Sequence, residues 1–171
     1  MKPSDLTLPD AELLLANMAA KLKSIVQPDN ALVGIHSGGV WIMERLLPAL
    51  GMDLAQGKLD VSFYRDDFNQ RGLHHEPKPS EIPFDVEGKH IVLIDDVFYT
   101  GRTIRAAMNE LFDYGRPASI SLAVLINRGG RELPITPQIT AHDMTLPPEQ
   151  NLQLQRHEDG RFYLTLEEIN G

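Results

Sequence analysis

The residues best equipped for chemistry lie in one run, "VLIDDVFYTGRT", from Val92 to Thr103. Two adjacent carboxylates, Asp95 and Asp96, precede a turn of small and hydroxyl-bearing residues, Thr100, Gly101 and Thr103. Glycine lets the backbone approach a ligand closely. Free amides and the dipole at a helix start favour a phosphate. Two acids would repel a bare phosphate, but they accept hydrogen bonds from hydroxyls. The run therefore suits a ligand with a phosphate at one end and vicinal hydroxyls at the other. A ribose phosphate is such a ligand, with its 2′- and 3′-OH on the aspartates and its 5′-phosphate in the turn. Taken singly, each residue has an ordinary reading: Thr100 or Thr103 as a helix N-cap, the aspartates as a solvated strand end. Their order within one short run favours the ligand. Neither a GxxxxGK loop nor a GxGxxG fingerprint is present.

Positioning such a run takes a strand that ends at the acids and a helix that begins after the turn. "HIVLI" (90–94) is a continuous apolar run, as expected of a central parallel strand. Ile104, Ala107, Met108, Leu111 and Phe112 recur at helical spacing, and Gly115 and Pro117 end that helix. Further strands are expected at 31–35, 59–64 and 120–126, and a second helix at 40–50. Residues 9–26 read as an amphipathic helix, with Thr7 as N-cap and Asp10 three residues on. Residues 66–82 form a long polar loop, of the kind that is usually functional. A hairpin around Asp159-Gly160 is expected to add an antiparallel edge. Strands alternating with helices imply an α/β fold with a parallel sheet.

Composition narrows the classes. The chain has 171 residues, a length that fits one domain with a sizeable core. It has no cysteine, which excludes disulfides and thiolate metal sites. A net charge of −8 argues against general nucleic-acid affinity, which rests on Lys and Arg. No apolar run approaches the roughly 20 residues of a membrane span, and the first residues lack a signal-peptide core. A cytoplasmic protein with no membrane contact is expected.

The run at 92–103 resembles the phosphoribosyl-pyrophosphate (PRPP) motif of type I phosphoribosyltransferases. "VSFYRDD" (61–67), "KPSEIPFDVEGK" (78–89), "TIRAAMNELFDYGRPASISLAVLINRG" (103–129) and "RELPI" (131–135) are similar to the PyrR family. These are pyrimidine-operon attenuation regulators that also have uracil phosphoribosyltransferase activity. The resemblance implies a type I phosphoribosyltransferase fold over 1–171: a central, mainly parallel sheet flanked by helices, a small hood (127–150) and a C-terminal antiparallel hairpin. It implies the reaction of uracil with PRPP to give UMP and diphosphate, with Mg²⁺ carried on PRPP and no metal ligand among the side chains. Asp95 and Asp96 would be catalytic. Val97, Phe98, Tyr99, Thr100, Gly101, Arg102 and Thr103 would bind the phosphate. His36, Ser37, Gly38 and Gly39 would form the pyrophosphate loop, assisted by Arg65 and by Arg71 and Lys78 of a mobile 66–82 loop. Asn127, Arg128, Arg131 and Ile135 would lie on the base side. The partners implied are PRPP, uracil, UMP, an operon leader RNA and further copies of the chain in a homodimer or homotetramer. Arg102, Arg105, Arg116, Arg128 and Arg131 are the basic residues such an RNA would meet.

Two stretches depart from the family pattern. Its pyrophosphate loop, Gly-Ile-Lys-Thr-Arg-Gly, is here "GIHSGG" (34–39), so His36 and Gly38 replace a basic pair. Its hood sequence, Asp-Arg-Gly-His-Arg-Glu-Leu, is here "NRGGREL" (127–133), with Asn127 and Gly130 in place of an acid and a histidine. Both changes remove groups that could touch the ligand. They leave open a nucleotide-sensing regulator with little turnover, or a phosphoribosyltransferase for another base.

Overall fold

Three apolar runs build the centre of the fold. The structure, a computed structural model, describes residues 7–61 and 80–169. In chain order the elements are α1 (Ala11–Lys23), β1 (Ala31–Ile35), α2 (Gly38–Leu50), β2 (Ala55–Leu59) and β3 (His90–Phe98). There follow α3 (Arg102–Tyr114), β4 (Ser119–Asn127), β5 (Ile139–Asp143), β6 (Gln150–Arg156) and β7 (Phe162–Glu168). The first five strands make one parallel sheet in the order β2-β1-β3-β4-β5.

Strand side chains alternate between faces, and both faces here are apolar. Ala31, Val33, Ile35, Ile91, Leu93, Leu122 and Val124 pack on one side with Ile104, Ala107 and Leu111 of α3. Leu32, Val92, Ile94, Ala123 and Leu125 pack on the other with α1 and α2. Met18 and Leu22 of α1 are fully buried there, and each such side chain contributes roughly 1.5–3 kcal/mol by leaving water. The central strands are covered on both sides, so they read as continuous apolar runs rather than as alternation.

The structure corrects four expectations. The N-cap of α1 is Asp10, whose carboxylate accepts from the Glu12 and Leu13 amides, and not Thr7. The strand expected over 59–64 is Ala55–Leu59; positions 60 and 61 follow it without strand pairing and 62–64 lie outside the described residues. "AQGKL" has little β-propensity; its register against β1 makes it a strand. Within 127–150, Ile139–Asp143 is the outer strand of the central sheet. Finally, the C-terminal hairpin is a separate two-stranded antiparallel sheet rather than an added edge. Its apolar residues Leu152, Leu154, Phe162 and Leu164 share one face, which is buried in the cluster around α1 and α2. Burial of a face, not pairing of an edge, is what docks the hairpin.

One polar staple reinforces that docking. Arg45 Nη2 of α2 donates to Glu12 Oε1 of α1 at 2.6 Å, and the Phe162 amide donates to Glu12 Oε2 at 2.9 Å. The Arg45 guanidinium also lies over the Phe162 ring, 5.0 Å from its centroid. Among the described residues no helix is long and apolar enough to cross a membrane.

Candidate active site

Ligands of open α/β sheets bind beyond the carboxyl ends of the strands, and β3 carries both aspartates at that end. Asp95 is 1% exposed and Asp96 6%. Each carboxylate accepts from the amide that follows it: Asp96 N–H to Asp95 Oδ1 at 2.9 Å, Val97 N–H to Asp96 Oδ1 at 2.8 Å. Strand alternation sends Asp95 to the α3 side and Asp96 to the α2 side. Gly38, the first residue of α2, lies so close that a Cβ built there would collide with the Asp96 carboxylate. A Cβ on Gly39 would collide with the Ile94 carbonyl. The "HSGG" turn is thus seated directly on the acids. His36 and Ser37 are half-buried, the peptide between them is cis, and the His36 amide donates to Leu59 O at 2.8 Å.

From Phe98, 2% exposed, the chain turns into α3. Gly101 takes φ +100°, a left-handed conformation that favours glycine, and caps the helix without a side chain. A Cβ there would also meet Leu133 at 3.4 Å. Thr100 and Thr103 are buried, and Thr100 Oγ1 accepts from the Arg102 amide at 3.1 Å. The amides and positive dipole end of α3 therefore face the same end of the sheet as the two acids. Arg102 is exposed, with its Nε 3.7 Å from Glu132. Val97 and Tyr99 are half-buried.

The segment after β4 folds over this turn. The Glu132 amide donates to Thr100 O at 2.9 Å and the Arg128 amide to Phe98 O at 3.1 Å. Asn127 ends β4 with its Oδ1 accepting from the Gly129 amide at 3.2 Å. Arg128 is 3% exposed, its Nη1 donating to Gln150 O at 2.7 Å and its Nη2 to Pro147 O at 2.9 Å. Arg131 is exposed, and Ile135 is half-buried against the α3-side cluster.

The structure thus gathers Asp95 to Thr103, the 36–39 turn and the 127–135 segment at one end of the sheet. Arg65, Arg71, Lys78 and almost all of the 66–82 loop lie outside the described residues. Sequence reasoning missed Asp143, Met144 and Thr145. With Asn127 and Gly129 they line a cavity of about 230 Å³. Asp143 pairs in register with Asn127. Reading 139–143 as a strand would have placed Asp143 at the functional end.

Comparison with known proteins agrees with this arrangement. Residues 7–144 match the phosphoribosyl transferase domain family. The chain is 50% identical over 155 residues to the bifunctional protein PyrR of Pseudomonas fluorescens, covering 87% of this chain and 91% of that one. It is 48% identical over 155 residues to the bifunctional protein PyrR of Pseudomonas aeruginosa, covering 87% and 90%. Among solved structures it is similar to the HGPRT-ase of Leishmania tarentolae in complex with GMP. There the TM-score is 0.63 and the identity 19%, over 83% of this chain and 82% of that one. A purine phosphoribosyltransferase of Pyrococcus horikoshii has a TM-score of 0.60 at 27% identity, over 81% and 85%. A family match over most of the chain and curated relatives at about half identity show the kinship: the chain belongs to the phosphoribosyltransferases, and within them to the PyrR family.

Proposed function

We propose that the chain joins uracil to the ribosyl carbon of PRPP, releasing diphosphate and leaving UMP, and that UMP or PRPP occupancy regulates pyrimidine gene expression. The observation that carries this reading is the placement of Asp95 and Asp96 on the end of β3, opposite the start of α3. The ribose 2′- and 3′-OH donate to the carboxylates, while Thr100, Gly101, Thr103 and the first amides of α3 hold the 5′-phosphate. As the bond from the ribosyl carbon to diphosphate breaks, positive charge develops on the sugar. Preorganised carboxylates stabilise such charge, and Asp95, the more buried, is assigned this role. Asn127 and the cavity beside it lie on the base side. Mg²⁺ would be carried on the diphosphate of PRPP, since it keeps several waters and needs few protein ligands. Carried there, it would offset negative charge on the departing diphosphate. The proposed setting is the cytoplasm, with a homodimer or homotetramer as the working unit.

A second reading rests on Gly38, Asn127 and Gly130. None supplies the side chain of the family pattern that the chain resembles, so a nucleotide sensor with negligible turnover competes with an efficient enzyme. For leader RNA, Arg102, Arg105, Arg116 and Arg131 are exposed and available, whereas Arg128 is buried. Purified protein given PRPP, Mg²⁺ and labelled uracil should form UMP. A panel of other bases and filter binding to leader RNA with and without UMP complete the test. Absence of UMP, together with tight UMP binding by calorimetry, would replace the enzyme with the sensor; turnover of a purine alone would replace uracil.

A further inference from the structure

Tyr99 is held close to two residues of the segment that follows β4. The Arg128 guanidinium lies over its ring, 4.0 Å from the centroid. Gly130 stands so close to the ring that a Cβ there would come within 2.5 Å of Tyr99 Cε1 and 3.0 Å of Cδ1. Gly130 also holds φ +89°. The guanidinium is fixed from behind, its two Nη atoms donating to the carbonyls of Pro147 and Gln150 where the chain enters β6. Tyr99 is the residue before Thr100, whose carbonyl accepts the Glu132 and Leu133 amides.

We propose that Arg128 is a positioning residue, which fixes the plane of Tyr99 and through it the course of the 99–103 phosphate turn, with Gly130 as the complementary part that leaves room for the ring. With both Nη atoms committed to carbonyls and 3% exposure, Arg128 acts through Tyr99 rather than on the base. A planar guanidinium stacks on an aromatic face while its fork binds two acceptors, which an ammonium does not reproduce. Gly130, a departure from the family pattern, then has a positive role: a bulkier residue would push the ring off Arg128. The proposal rests on the reading of this turn as a phosphate site.

Removing the buried Arg128 risks the fold, so the test uses the more accessible partners. UMP binding is measured by calorimetry, and thermal melts are recorded, for Tyr99→Leu, Tyr99→Phe, Gly130→Ala and the double variant Tyr99→Leu/Gly130→Ala. A lost cation–π contact and a displaced ring should weaken UMP binding about fivefold in Tyr99→Leu and in Gly130→Ala. Tyr99→Phe keeps the ring and recovers most of that loss. In the Tyr99→Leu background Gly130→Ala should cost clearly less than in the unaltered protein, because the ring it collides with is gone and only the strain of φ +89° remains. Equal cost of Gly130→Ala in both backgrounds, or a lower melting temperature with unchanged affinity, overturns the positioning role alone. Failure of the unaltered protein to bind UMP or PRPP overturns the phosphate-site reading and this proposal with it.

Discussion

Replacing the two aspartates by asparagine separates charge from shape. Asp95 Oδ1 and Asp96 Oδ1 each accept one backbone amide, at 2.9 and 2.8 Å, and an asparagine Oδ1 can accept the same bond. The local strand geometry therefore survives, and what is removed is the negative charge that the proposed site sets against the ribose. A hydrogen bond to a charged group contributes about 1.5–3 kcal/mol, against about 0.5–1.5 for a neutral one. The difference, about 1–1.5 kcal/mol, makes each single variant bind UMP roughly tenfold more weakly. The two carboxylates are adjacent and share one ligand, so their effects are not independent; the double variant should lose about thirty- to hundredfold. Titration calorimetry with UMP gives the affinities, and circular dichroism with a thermal melt reports the fold. Turnover, where present, should fall further in Asp95→Asn than in Asp96→Asn, because only Asp95 is assigned the developing charge. A folded double variant that binds UMP as tightly as the unaltered protein would refute the assignment of these carboxylates to the ribose.

Two other changes probe the scaffold that holds the site. Gly39→Ala places a Cβ against the Ile94 carbonyl, with Asp95 Cα at 3.2 Å. Overpacking of about 1–3 kcal/mol outweighs the gain of about 1 kcal/mol in helix propensity, so melting should drop by several degrees and UMP affinity should fall with it; a melt at or above the original temperature would contradict the packing. At the hairpin, the hydrogen bond from Arg45 is the first cause that holds the Glu12 carboxyl below its ordinary value of 4.5, aided by the Phe162 amide and opposed by burial. A lowered folded value means stability present above the unfolded value and lost as pH falls through the folded one. Arg45 is 40% exposed, so solvent screening leaves about 0.5–1 kcal/mol for the pair. Urea unfolding should show Glu12→Gln less stable by that amount near neutral pH, with the gap closing well below about pH 4.5; a gap that persists in acid would mean the effect is packing, not charge.

What the sequence made legible follows from what sets each element locally. β1, β3 and β4 are built on continuous apolar runs and α3 on a strong helical repeat, so local pattern alone places them. β2 and β5 flank the sheet and contain Gly57, Lys58, His142 and Asp143, so their strand character comes from pairing with a neighbour that no local pattern records. The hairpin was visible from its turn and its alternation. Its docking depends on α1 and on Glu12 and Arg45, residues distant in sequence from its strands. At the site, the order of acids, glycine and threonines carries the ligand chemistry because each part needs a particular residue type. The stacking of Arg128 on Tyr99 has no such signature: it joins residues from two turns through the register of β3 with β4.

Gly38 and Gly130, the two glycines that depart from the family pattern, turn out to be linked by the same physics. In sequence each looks like a deleted functional group. In the structure each is a point where an added Cβ would collide with a side chain of the 92–103 run: Gly38 with the Asp96 carboxylate, Gly130 with the Tyr99 ring. In the proposed site a missing cation at position 38 would weaken the hold on diphosphate, yet the close approach lets the positive end of the α2 dipole sit beside Asp96. A missing imidazole at position 130 removes one polar contact, yet it admits the ring that Arg128 holds. On the proposed reading, the departures exchange direct contacts with the ligand for closer packing around the residues assigned to hold it. Restoring a side chain at either position, without first making room for it, should weaken nucleotide binding rather than strengthen it.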